Sequence, residues 1–277
     1  MLRKIILILS MFIWSNSNAQ LLKSFIHNAE FGIGAGVGQY FGDINTDAGF
    51  KSLNLATGVF IRKQISNYVS IRGYGEYSFL GYSDIYSSNS FQRTRNLSFN
   101  TNVLEAGLSL DLNFYRFQPG FEGFNFTPYV GLGVSAFYFN PYTYLDGNKV
   151  YLQPIGTEGQ GSVFYPNLNK YSKTALSVPL TVGLKYAINQ RTNIYAEAMY
   201  RFTTTDFLDD VSGYYAPNAF PDPNSIGYQL QDRSYELGGT PIGVKGRLRG
   251  DPTKKDGFLT FKLGVSFNIQ TYVCPKY

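Results

Sequence analysis

Eight stretches of this chain alternate apolar residues with polar or small ones at a period of two, and that repeat decides what the chain can fold into. Phe31, Ile33, Ala35 and Val37 alternate with Gly32, Gly34, Gly36 and Gly38. Leu104, Ala106, Leu108, Leu110 and Leu112 alternate with Glu105, Gly107, Ser109, Asp111 and Asn113. Leu259, Phe261, Leu263, Val265 and Phe267 alternate with Thr260, Lys262, Gly264, Ser266 and Asn268. The other five segments begin near Leu53, Val69, Val130, Val178 and Ile194. Successive side chains of a strand point to opposite faces, so each segment predicts a strand with one apolar face. Each is about 9–11 residues long, enough to cross a bilayer at a tilt.

The connections add an independent signal. They are short after strands 2, 4 and 6, around Ser66-Asn67, Gln118 to Phe124, and Asn189 to Arg191. They are long after strands 1, 3, 5 and 7, near Asn45 to Lys51, Ser83 to Asn96, Asn140 to Lys173, and Asp206 to Asp256. Outer-membrane barrels combine an even strand count with short periplasmic turns and long extracellular loops. A soluble sandwich has no reason to sort loop lengths by parity, and loops of about 34 and 51 residues are foreign to a compact soluble domain. Composition agrees: 17 % aromatic residues exclude a disordered chain, and no run of about 20 apolar residues provides a transmembrane helix. The prediction is an all-β fold, an eight-stranded antiparallel transmembrane β-barrel of the OmpA/OmpX type with long extracellular loops.

The first 19 residues read as a cleavable signal peptide. Arg3 and Lys4 precede an apolar stretch from Ile5 to Trp14, followed by a polar segment ending Asn18-Ala19. About ten apolar residues are too few to span a ~30 Å hydrocarbon core. The chain thus divides into a signal peptide (1–19), a barrel of the bacterial cell outer membrane (20–269), and a periplasmic C-terminal tail (270–277). Lys262 to Ile269 resembles the terminal assembly signal of such barrels.

The polar face of the strands forms the lumen. Arg72, Lys185, Arg201 and Lys262 face Glu76, Glu105, Asp111 and Glu197 there, four of each sign. Eight strands enclose only enough room for side chains, so balanced charge predicts a salt-bridged plug rather than an ion path. Aromatics near strand ends are expected as interface girdles. They are Tyr40, Phe79, Tyr82 and Tyr138 at the outer rim, and Phe114, Tyr115, Phe126, Tyr186 and Tyr195 at the inner one.

Chemistry finds few candidates. The single histidine (His27) and single cysteine (Cys274) exclude His/Cys metal clusters, intramolecular disulfides and most histidine-dependent catalysis. Barrel hydrolases usually need a His beside a Ser and a carboxylate, and His27 precedes strand 1 at the periplasmic end. No catalytic residue, cofactor site or metal site is expected, so the chain reads as no enzyme. Asp206, Asp209 and Asp210 do not match a calcium loop and are expected to be a solvated loop start. Gly156 to Gly161 (GTEGQG) lacks the Lys-Ser/Thr of a phosphate loop and reads as a flexible or specially turned surface loop. Scattered basic residues, despite a formal charge of +5, predict no nucleic-acid partner.

Two features suggest contact with a protein. The periplasmic turn Arg116 to Asn125 (RFQPGFEGFN) is long for that side and is expected to expose Phe117, Phe121 and Phe124, with Glu122 beside them. Cys274, unpaired in an exported chain, predicts an intermolecular disulfide or an exposed reactive thiol, against an inert thiol in a frayed tail.

Four segments resemble the PorG family, the small outer-membrane barrels of the type IX secretion system of Bacteroidota-type bacteria. They are AEFGIGAGVGQYFGDIN (Ala29 to Asn45), FTPYVGLGVSAFYFNP (Phe126 to Pro141), LQPIGTEGQG (Leu152 to Gly161) and TTTDFLDDVSGYY (Thr203 to Tyr215). The resemblance implies a non-catalytic barrel that sits among outer-membrane lipids and binds a periplasmic ring built by a lipoprotein and its partner protein. It favours a disulfide from Cys274 to the ring lipoprotein, with Phe117, Phe121 and Glu122 at the contact. The alternative is a free-standing structural or adhesive barrel of the OmpA/OmpX type.

Overall fold

The structure, a computed structural model, describes residues 29–269. The signal peptide, His27 and the tail with Cys274 lie outside the described residues. Eight long strands build the barrel: β1 (Ala29–Phe41), β2 (Asn54–Gln64), β3 (Val69–Ser83), β4 (Ser98–Asn113), β5 (Phe126–Tyr138), β8 (Thr174–Ala187), β9 (Thr192–Thr203) and β10 (Gly257–Ile269). All neighbours are antiparallel. β1 pairs with β10 over its whole length, Ala29 opposite Ile269 and Phe41 opposite Gly257, which closes the barrel and removes both sheet edges.

Two further strands, absent from the sequence reading, lie in the long loop after β5. β6 (Tyr142–Leu145) and β7 (Asn148–Tyr151) form a hairpin that touches the barrel where Asn100 pairs with Tyr142. Its tip, Asp146-Gly147, has φ of 50° and 79°, the left-handed pair that a two-residue hairpin turn demands and that Asp-Gly supplies cheaply. Among the described residues the loops also carry two short α-helices, α1 (Ser90–Arg95) and α2 (Ile226–Gln231), and three 3-10 turns.

The polarity of the molecule is inverted. Leu104, Leu108, Val134 and Leu176 are each more than 60 % exposed, while Arg62, Arg72, Lys185 and Arg201 are at most 1 % exposed. Only a surrounding hydrocarbon phase makes that arrangement stable. The protein is therefore a β-barrel of the bacterial outer membrane.

The glycine stripe of β1 has a packing role. A Cβ at Gly32 would lie 2.3 Å from the Phe60 ring, and one at Gly34 would lie 2.3 Å from the Tyr195 hydroxyl. Without side chains there, the Phe60 and Tyr195 rings meet edge to face in the lumen, with centroids 5.3 Å apart. Tyr195 is thus a lumen residue rather than a girdle residue. Tyr40 and Tyr82 also turn inward, because their positions fall on the buried register of β1 and β3. Phe114, Tyr115, Phe126, Tyr138 and Tyr186 keep the exposed positions that a girdle needs.

Candidate functional site

The lumen is filled by one ionic network. Arg62 donates to Glu30 and to Asp111, each at 2.9 Å. Arg72 reaches Glu197 at 2.7 Å and Asp111 at 3.3 Å. Arg201 lies between Glu76 at 2.7 Å and Glu105 at 3.0 Å. Lys262 joins Glu197 at 3.2 Å and also contacts Glu76. Tyr129 and Tyr74 donate their hydroxyls to Glu197 (2.7 Å) and Glu105 (3.0 Å). All eight expected charges are present, and Glu30 and Arg62 add one more of each sign. Arg62 falls on the buried side of the β2 alternation, and Glu30 precedes the first alternating residue of β1 by one position.

Lys185 is the exception. Its ammonium makes no hydrogen bond and rests 4.4 Å from the centroid of the Phe117 ring. This corrects the expectation for Phe117, which is fully buried rather than exposed. Its N–H donates to the Asn67 carbonyl at 3.3 Å, so the turn folds across the periplasmic mouth and the ring stoppers it. The rest of the turn is built on Gly120 and Gly123, both at positive φ, with Gln118 N–H donating to Phe124 O at 3.0 Å. Phe124 is half-buried, its ring 4.7 Å from the Arg116 guanidinium. Phe121, 55 % exposed, and Glu122 project from the tip. Two of the three described candidates therefore stay accessible on one turn.

At the other end the long loops form a packed cap. Tyr40, Leu80, Phe99, Phe137, Phe139 and Phe258 from the strand ends join Leu208, Val211 and Leu230 from the last loop in one apolar cluster. The segments Leu152 to Gly161 and Thr203 to Tyr215 interlock above it. The Thr157 hydroxyl donates to Asp210 at 2.5 Å, and Glu158 accepts from the N–H groups of Ser212 (2.9 Å) and Gly213 (3.0 Å). Arg249 reaches Glu158 at 3.2 Å and the Asp210 carbonyl at 2.6 Å.

The expectation of a solvated loop start is therefore wrong. Asp206, Asp209 and Asp210 are 3 %, 1 % and 0 % exposed, because the neighbouring loops fold over them. Of the two readings of GTEGQG, flexible or specially turned, the second holds: Gly156, Gly159 and Gly161 take positive φ and fix its turns, while Thr157, Glu158 and Gln160 are buried rather than at the surface. Burial pushes the carboxyls of Asp206 and Asp210 up to about 6, against the hydrogen bonds from Ser212 and Thr157. Burial and the facing Asp256 raise Asp209 further. Among the described residues no group of three His, Cys, Asp or Glu side chains is arranged to hold a metal ion.

A family model described as Domain of unknown function (DUF6089) matches residues 2–219. No curated protein matches the sequence. Among solved structures, Neisserial surface protein A is similar at 12 % identity and a TM-score of 0.42, over 86 % of this chain and 96 % of that one. The attachment invasion locus protein Ail of Yersinia pestis shows 9 % identity and a TM-score of 0.38, covering 87 % and 99 %. The outer membrane protein OprG of Pseudomonas aeruginosa shows 11 % and 0.38, covering 88 % and 98 %.

Proposed function

The chain belongs to the DUF6089 family, and we propose that it is a non-catalytic outer-membrane barrel of a type IX secretion system that anchors or contacts the periplasmic ring. The observation that carries this reading is the lumen. Its ten charges and the Phe117 stopper leave no conduit, so the protein acts through its surfaces. The PorG-like segments supply the choice of machine, and the exposed tip of the periplasmic turn supplies a contact. Phe121 offers an aromatic anchor in water and Glu122 a charge beside it, a pairing suited to a small protein interface. Cys274 would add a covalent link to the ring lipoprotein.

Co-purification from detergent-solubilised membranes tests this. The tagged wild type should recover the ring lipoprotein and its partner, with a reducible higher-mass band that Cys274→Ser removes. Joint replacement of Phe121 and Glu122 by Ala should lower recovery several-fold while the folded barrel still accumulates. Ring proteins missing from the wild-type eluate would leave the free-standing structural or adhesive reading, which the densely packed outer cap favours.

A further inference from the structure

Beneath the outer cap one hydroxyl faces two carboxyls. The Tyr40 hydroxyl, at the outer end of β1, lies 2.5 Å from Asp209 Oδ2 and 2.9 Å from Asp256 Oδ1. Asp209 stands near the start of the last loop and Asp256 directly before β10, so this one group ties both ends of that loop to β1. Gly42 leaves the room for it, since a Cβ there would lie 2.0 Å from both the Tyr40 hydroxyl and Asp256 Oδ1. The remaining carboxyl oxygens are occupied. Asp209 Oδ1 accepts from Val211 N–H at 2.9 Å, and Asp256 Oδ2 accepts from Leu208 N–H at 2.8 Å. All three side chains are buried.

A count of protons decides what this geometry needs. A phenol has one hydrogen and gives it to one acceptor. With both carboxyls ionised, the second would face the phenol oxygen lone pair to lone pair, and two like charges would lie unpaired among apolar side chains. No cation relieves them. Arg95, which faces Asp209 from α1, is spent on Asp84 at 2.7 Å, and Arg249 on Glu158 at 3.2 Å. Among the described residues neither Asp209 nor Asp256 has an ion pair. The other titratable groups facing the two carboxyls bring no positive charge: Asp43 from the loop after β1, Asp206 from the last loop, Tyr171 from the loop before β8, and Tyr200 from β9. We infer that Asp209 and Asp256 together hold one proton, and that this proton is the latch closing the last loop over the outer mouth. One carboxyl then donates to the Tyr40 oxygen while Tyr40 donates to the other, and every group is satisfied. Burial, with Asp43 beside both, raises the two carboxyls well above the usual range, the direction the latch needs. In the unfolded chain both would ionise near pH 3.9. The folded cluster thus binds the extra proton at neutral pH, and the closed cap weakens as rising pH removes it.

Infrared spectroscopy and hydrogen exchange on the full chain in lipid nanodiscs test the latch. At pH 8, where Asp43, Asp206 and Asp210, held up to about 6, have ionised, the wild type should still show the carbonyl stretch of a protonated buried carboxyl. Asp209→Asn and Asp256→Asn should each abolish that band, although each removes only one carboxyl, because a neutral amide donates to Tyr40 in the proton's place. Either single variant should protect residues 206–211 from exchange at pH 8 at least as well as the wild type does. The double variant leaves the Tyr40 hydrogen without an acceptor and should exchange about tenfold faster there than either single one. No such band in the wild type, a band that survives in either single variant, single variants less protected than the wild type, or a double variant as well protected as the singles would each overturn the inference.

Discussion

Arg201 shows how the lumen holds its charges without water. The guanidinium is fully buried, donates through Nε to Glu105 at 3.0 Å, and reaches the Thr260 hydroxyl at 2.5 Å and the Met199 carbonyl at 2.8 Å. Phe258 covers it, with its ring centroid 4.9 Å away. Removing one partner of a buried pair strands the other charge, which costs more than the pair itself contributes. Arg201→Ala should therefore destabilise the barrel by about 3–5 kcal/mol, read as a lower urea midpoint for the protein refolded in micelles. A shift below about 1 kcal/mol, the worth of an exposed pair, would mean that water reaches Glu76 and Glu105. At this scale the sequence was half legible. Alternation placed Arg201 and its partners inward, because strand geometry alone decides that. It could not place Phe117, whose side depends on how the turn closes against Asn67, a contact between residues 50 positions apart.

The elements divide in the same way. Strands and short turns were readable because their pattern is local, and the eight barrel strands fall where the period-two repeat puts them. The loops were not, because their order comes from contacts across the cap: Thr157 with Asp210, Glu158 with Ser212, and Glu158 with Arg249 at 3.2 Å. Those contacts bury carboxyls, and the cap should respond to pH. In an unfolded chain an Asp loses its proton near pH 3.9, whereas burial holds Asp43, Asp206 and Asp210 up to about 6. Between those values the folded cap binds more protons than the unfolded one, so stability falls as pH rises through this window and is greatest below it. Hydrogen exchange of residues 152–161 and 206–216 should be faster at pH 7.5 than at pH 5, after correction for intrinsic rates. Equal protection at both values would show that these carboxyls ionise without cost.

For the whole molecule, inverted polarity and parity of loop length were both visible in the sequence, and together they fix the barrel in a membrane with its long loops outside. Conductance depends on a different property, the continuity of water through the centre. Glu30, Arg62, Asp111 and Arg72 cross the lumen near the periplasmic end, and Glu197, Lys262, Glu76, Arg201 and Glu105 cross it further out. Phe117 closes the inner mouth over Lys185, and the aromatic cluster around Tyr40, Phe137 and Phe258 closes the outer one. An ion would have to break several buried pairs in sequence, each step leaving a charge unpaired in a medium of low polarity. The purified protein in planar bilayers should therefore give no stable openings on the nanosiemens scale. Phe117→Ala alone should leave the bilayer silent too, because the ionic network stands behind it. Large, steady openings in the wild type would contradict the closed lumen and with it the reading of this barrel as a surface rather than a passage.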